Sequence, residues 1–71
     1  MKSSEVIRAA MNEAGLTQSA LAAKLGKGQT AISNALNRPN GIRVDIFVEM
    51  LNAAGYEVVV RRGKEEMVVT E

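Results

Sequence analysis

The chemistry available to this 71-residue chain is determined by one cluster of polar side chains and by the absence of two residue types. There is no histidine and no cysteine, which removes thiolate nucleophiles, zinc-finger ligand sets, disulfides and the usual general base. Amide and hydroxyl groups cluster instead at Gln29, Thr30, Ser33 and Asn34. Because such groups both donate and accept hydrogen bonds, the cluster favours recognition over catalysis.

An enzyme is a poor fit to the remaining residues. Glu65 and Glu66 are adjacent, but they lie at an expected hairpin tip, where carboxylates are most simply a solvated face that protects a strand edge. No phosphate loop, metal-ligand spacing or nucleophile elbow is present. We therefore expect no enzymatic activity, no cofactor and no metal.

Charge is unevenly distributed along the chain, although the net charge is only +1. Residues 15–44 contain four basic side chains and no acidic one, whereas residues 45–71 contain six acidic against three basic. This asymmetry indicates one surface for a polyanion and another kept away from it. Chance clustering of so few charges is the alternative.

The length allows one small core, so we expect a single domain over residues 1–71. Small scaffolds without disulfides or metals commonly gain stability by self-association. No apolar run reaches the length of a membrane span, and the first residues do not resemble a signal peptide. These features predict a cytoplasmic protein with no membrane partner.

The elements that must position the polar cluster are four amphipathic segments. Their spacing predicts helices at about 4–14, 18–25, 29–36 and 44–54, with Ser3 or Ser4 and Thr17 as N-caps and Gly15 and Gly26 as stops. The apolar faces expected to pack inward are Val6, Ala10, Met11 and Ala14; Leu21, Ala22 and Leu25; Ala31, Ile32, Ala35 and Leu36; and Phe47, Met50, Leu51 and Ala54.

The last part of the chain changes to β-branched character and predicts a hairpin at about 56–70. An isolated two-stranded hairpin is marginal in water, so it needs the fourth helix on one side and, on the other, the hairpin of a second copy. The expected dimerisation residues are Val58, Val59, Val60, Met67, Val68 and Val69.

Two short helices joined by a glycine-containing turn match the geometry of a helix-turn-helix. The pattern Thr17-Gln18-x-x-Leu21-Ala22-x-x-Leu25-Gly26, then five residues, then Ile32-Ser33, resembles the Cro and lambda-repressor family of regulators. The similarity covers about residues 6–54. It implies a mostly α fold: a four-helix lambda-repressor-like DNA-binding domain with a C-terminal β-hairpin.

The resemblance also implies roles for the polar cluster. Gln29, Thr30, Ser33 and Asn34, named here the reader set, match recognition-helix positions that face the major groove of double-stranded DNA. Gln can bond an adenine edge bidentately, and short hydroxyls and amides suit base edges. The solvated face of an ordinary amphipathic helix is the alternative.

Phosphate contacts are the second implied role. Gln18 matches the family glutamine that contacts phosphate and supports the start of the recognition helix, and the other expected contacts are Lys27, Asn37, Arg38, Asn40 and Arg43. Lys24 faces either phosphate or solvent. Two residues depart from the family pattern: Lys27 stands where an aliphatic residue is common, and Gly28 replaces a Ser or Thr cap.

By analogy with the family we expect a prokaryotic or phage homodimeric repressor that binds a pseudo-palindromic operator and acts by occupying it. The rival hypothesis is an antitoxin that neutralises a partner toxin and regulates its own operon. A structural dimer that has lost DNA binding would show a degraded recognition face, which the reader set does not.

Overall fold

The computed structural model describes residues 1–70, so Glu71, the last residue of the predicted domain, lies outside the described residues. Four helices precede one hairpin within that range. They are α1 (Ser3–Ala14), α2 (Gln18–Leu25), α3 (Gln29–Leu36), α4 (Val44–Ala53), β1 (Val58–Arg62) and β2 (Glu65–Val69). The mostly α fold with a C-terminal hairpin is confirmed. α1 begins one residue earlier than expected, α4 ends one residue earlier, and the paired strands are shorter than the 56–70 span.

The helix ends follow local capping chemistry, with one correction. The Thr17 Oγ1 accepts a hydrogen bond from the Ala20 backbone N–H at 3.0 Å, which confirms Thr17 as the N-cap of α2. α1 is capped differently from the prediction: Lys2 is its N-cap, and its backbone N–H donates to Glu5 Oε1 at 2.8 Å. Ser3 is not a cap, because its Oγ accepts the Ile42 backbone N–H at 3.1 Å and ties α1 to the segment before α4.

The core lies where the four helices meet, and Ile7, Leu21, Ile32 and Met50 are its most deeply buried large side chains. Ile7 and Val48 were absent from the predicted apolar faces, yet both are buried. Two expected core residues, Ala14 and Ala31, are exposed. A small alanine carries little apolar surface, so leaving it in water costs little and packing geometry decides its place.

The hairpin pairs β1 and β2 in antiparallel register, from Val58 opposite Val69 to Arg62 opposite Glu65. Val58 packs against the helical core and, like Val69, is half-buried, so the expected contact with the helices exists at this end. The four apolar side chains further along, Val59, Val60, Met67 and Val68, are exposed. No helix within residues 1–70 combines the length and the apolar character that crossing a membrane requires.

Candidate nucleic-acid interface

The pair α2 and α3 has the geometry that the sequence pattern predicts. Ala22, inside α2, and Ile32, inside α3, are both buried in the shared core. Gly26 ends α2 with a left-handed φ of 67°, and the Lys27 backbone N–H donates to the Ala22 carbonyl at 2.9 Å. The turn needs only Gly26, Lys27 and Gly28 before α3 begins. Because the turn is short and the helices share a core, the position of α3 relative to α2 is fixed.

The reader set lies on two sides of α3. With about 100° between successive residues, Ile32 and Leu36 point into the core, and Thr30 and Asn34 lie opposite them and are exposed. Ala31 falls on this same outward side, about 120° from the buried stripe, which is why its expected inward packing is wrong. Gln29 and Ser33 occupy the flank between core and solvent, next to α2.

Two interhelical hydrogen bonds connect that flank to the first turn of α2. Ser33 Oγ donates to Gln18 Oε1 at 2.6 Å, and this contact is partly buried. Ser19 Oγ donates to Gln29 Oε1 at 2.9 Å at the surface. Gln18 therefore supports α3, at its second turn instead of its start. Ser19 did not emerge from the sequence, where the only signal is its place beside Gln18 in the turn that faces α3.

The basic residues divide into paired and unpaired groups. Lys27 Nζ lies 3.6 Å from Glu49 Oε1, and Arg43 Nη2 lies 3.1 Å from Asp45 Oδ2. Exposed ion pairs of this kind contribute about 0–1 kcal/mol, so a phosphate can replace the carboxylate at small cost. Arg38 makes no salt bridge within residues 1–70 and is exposed, as are Asn37 and Asn40 in the same segment. Lys24 is also exposed.

A cleft beside the end of α3 adds two cations that sequence reasoning missed. Lys2 and Arg8 line it together with Arg38, Asn37 and Asn40. Arg8 Nη2 donates to Asn37 Oδ1 at 3.4 Å, which joins α1 to the residue that follows α3. Arg8 is 29 residues from Asn37 in the chain. Only the fold brings the two together, so spacing within one helix gives no sign of the contact.

The chemistry of this surface is hydrogen bonding and positive charge. Within residues 1–70 no group of three or more acidic side chains is placed to hold a metal ion, and no buried side-chain nitrogen or oxygen lacks a partner. The amide and hydroxyl groups of α3, with Arg38 and the cleft cations beside them, suit a ligand that presents both base edges and phosphates. Fold and site together define a helix-turn-helix nucleic-acid-binding domain.

Comparison with known proteins agrees with that class. A family model described as helix-turn-helix matches residues 7–60. The chain belongs to this family, the Cro/C1-type helix-turn-helix proteins, which are DNA-binding regulators and generally not enzymes. The match ends inside β1, so β2 lies beyond it. No curated protein and no solved structure gives a significant match.

Proposed function

We propose that the protein is a sequence-specific repressor that binds a pseudo-palindromic operator as a homodimer. One observation carries the proposal: the exposed side of α3 presents Thr30 and Asn34 outward, while Gln29 and Ser33 are oriented by hydrogen bonds to α2. A helix that is packed on one face and polar on the other, on a rigid partner helix, suits insertion into the major groove. Base contacts by the reader set then provide the sequence preference.

Phosphate contacts hold α3 in register on the duplex. Gln18 and Lys27 lie at the start of α2 and in the turn, and Arg38 and Arg43 lie after α3, so we expect them to contact the DNA backbone on the two sides of the groove. Asn37 and Asn40 add hydrogen-bond donors on the second side. Each neutralised phosphate makes the logarithm of the binding constant fall by about 0.9 per logarithm of salt concentration. The expected result is tight binding that weakens steeply with salt.

The homodimer is proposed to form through the hairpin. Successive side chains alternate between the two faces of a strand, so Val58, Val60 and their partners share the face that begins at the core. The cross-strand pair Val59 and Val68 lies on the opposite face, with exposures of 40% and 53%. A second hairpin placed against this face would remove that apolar surface from water. Two copies related by a two-fold axis would then place two α3 helices about 34 Å apart, one turn of DNA.

Occupying the operator is the proposed mechanism of repression, since a bound dimer excludes other proteins from the same duplex. The DNA it regulates would lie in the cytoplasm of a bacterial cell or a phage-infected host. An antitoxin-type role is the second candidate, and the exposed hairpin is the observation in its favour. The apolar pair Val60 and Met67, exposed by 50% and 67%, belongs to the predicted dimerisation residues but lies on the other face of the hairpin from Val59 and Val68, where it is open to a partner toxin.

Selection of binding sites from random duplex DNA tests the proposal. We expect an enriched motif with two inverted half-sites whose centres are 10–10.5 base pairs apart. Enrichment of a single half-site, with no fixed spacing, would contradict binding as a homodimer. If all sequences bind equally and the affinity depends only on salt, the domain binds phosphates but does not read bases. This outcome would contradict the proposal of a sequence-specific repressor.

A further inference from the structure

The first helix holds the segment between α3 and α4 near both of its ends. This segment, residues 37–43, carries most of the residues expected to contact phosphate and is named here the phosphate segment. At its start, Arg8 Nη2 donates to Asn37 Oδ1 at 3.4 Å. Near its end, Ser3 Oγ accepts the Ile42 backbone N–H at 3.1 Å in a partly buried bond. A backbone N–H can only donate, so the Ser3 hydroxyl must be the acceptor.

Ser3 also packs closely against the residue before Ile42. A Cβ built on Gly41 would lie 3.3 Å from Ser3 Oγ, and the φ of Gly41 is 89°, in the left-handed region that favours glycine. The side chain of Ile42 packs against the helical core, whereas residues 38–40 are exposed. Exposed backbone with few buried contacts opens easily, so the contacts with α1 are important for the order of the phosphate segment.

We propose that Ser3 is a positioning residue for DNA binding, which orders the phosphate segment before the duplex arrives. The inference rests on the proposed function, in which Arg38, Asn40 and Arg43 contact phosphates. A segment that is disordered in the free protein must be ordered on binding, and this loss of entropy weakens the complex. The bond between Ser3 and Ile42 moves part of that cost from binding into folding. Affinity then rises for every sequence, while the number of phosphate contacts stays the same.

The affinity of Ser3→Ala for a site-selected duplex and for a scrambled duplex, at several salt concentrations, tests this role. Loss of the acceptor is expected to lower both affinities about 2- to 10-fold, the range of one neutral hydrogen bond. The salt slope and the base preferences are expected to stay unchanged, because no phosphate or base contact is removed. Ser3→Thr retains a hydroxyl acceptor and is expected to match the wild type. Ser4→Ala is the matched control, since Ser4 lines the same cleft but does not bond Ile42.

Amide hydrogen exchange in the free protein tests the tie without DNA. The Ile42 amide is expected to be protected in the wild type, and exchange at Gly41 and Ile42 is expected to be faster in Ser3→Ala but not in Ser4→Ala. An unprotected Ile42 amide in the wild type would overturn the inference. Alanine is favourable in a helix, and circular dichroism confirms that each variant is folded where its affinity is measured.

The outcomes separate this inference from the function on which it rests. If the wild type binds no duplex, or if Arg38→Ala leaves both affinity and salt slope unchanged, the proposed phosphate contacts fail and this inference fails with them. If the wild type binds and Ser3→Ala matches it, even with lower thermal stability, only the role of Ser3 is overturned.

Three further results would contradict positioning by Ser3. A salt slope reduced by about one in Ser3→Ala would make Ser3 itself a phosphate contact. A changed preference at one base pair would make it a reader. An equal loss of affinity in Ser4→Ala or in Ser3→Thr would show that the effect does not come from the hydroxyl that accepts the Ile42 N–H.

Discussion

Within α3, neighbouring polar residues differ in how strongly they are constrained before any ligand arrives. Thr30 and Asn34 are exposed. Gln29 and Ser33 are each held by a side chain of α2. Ordering a free side chain on binding costs about 0.5–1.5 kcal/mol, so the two held residues start with an advantage. We therefore expect Gln29 and Ser33 to contribute more to specificity than their exposure alone indicates.

Replacing Gln29 by alanine tests the reading of one base. We expect a loss of about 1–3 kcal/mol at a single base-pair position, with relaxed specificity there and little change elsewhere, because a bidentate contact acts on one base. The measurement is the affinity for a panel of singly substituted operators. Asn52→Ala, which removes an exposed amide from α4, is the matched control and should leave the panel unchanged. A uniform loss over the panel would contradict a reading role for Gln29.

Arg38 provides the contrasting case of a residue expected to contact phosphate. Arg38→Ala should weaken binding to all sequences together and reduce the salt slope by about one, because one phosphate is no longer neutralised. Titrations at several salt concentrations measure the slope. Lys64→Ala removes the same charge from the hairpin tip, away from α3, and should leave the slope unchanged. A change of base preference in Arg38→Ala would make it a reader instead.

The turn between α2 and α3 depends on the left-handed backbone of Gly26. A Cβ built at this position meets no atom within 4 Å, so a side chain there has space and any cost comes from the backbone. An L-residue in the left-handed region costs about 1–2 kcal/mol, and asparagine tolerates it better than alanine. We expect Gly26→Ala to lower the free energy of unfolding by about that amount, and Gly26→Asn by less.

Urea denaturation followed by circular dichroism measures both variants. The ratio between them is the informative quantity, because Asn and Ala both fill the same open space. Equal losses would mean that the added side chain, not the backbone conformation, determines the cost. No loss in either would mean that the turn relaxes to another conformation.

The same elements explain how far the sequence predicts the fold. Thr17, Gly15 and Gly26 act through bonds to residues three or four positions away, so the helix ends were visible in the sequence. Ser3 resembles a cap but bonds Ile42, 39 residues away, and a local rule cannot include that contact. The hydrogen bond of Ser19 and the cleft position of Arg8 were missed for the same reason. They depend on how helices pack, which the pattern within one helix does not specify.

The helices and the C-terminal hairpin differ in how much apolar surface they leave exposed to water. Within residues 1–70 the helices share a buried core, whereas Val59, Val60, Met67 and Val68 remain exposed on a two-stranded sheet. Two cross-strand ion pairs beyond them, Arg61 with Glu66 and Arg62 with Glu65, stabilise the tip only weakly because they are exposed. Such a hairpin gains stability from a covering partner, and a second copy also supplies the second α3 that a palindromic operator requires.

Val59→Lys places a charge in the middle of the proposed dimer face. We expect the variant to sediment as a monomer at micromolar concentration while its helical circular dichroism persists, because Val59 lies outside the helical core. Operator affinity should fall by about 10²- to 10⁴-fold, since the second half-site is no longer linked to the first. Affinity for an isolated half-site should stay close to that of the wild type.

Val44→Lys is the matched control, because it makes the same substitution at another exposed valine, 62% exposed against 40% for Val59, in the first turn of α4. It should remain dimeric and bind the full operator. A wild-type protein that sediments as a monomer at micromolar concentration would contradict the hairpin dimer outright. Dissociation of both lysine variants alike would show that loss of the dimer does not depend on where the charge is placed, and would contradict the assignment of the interface to the Val59 and Val68 face.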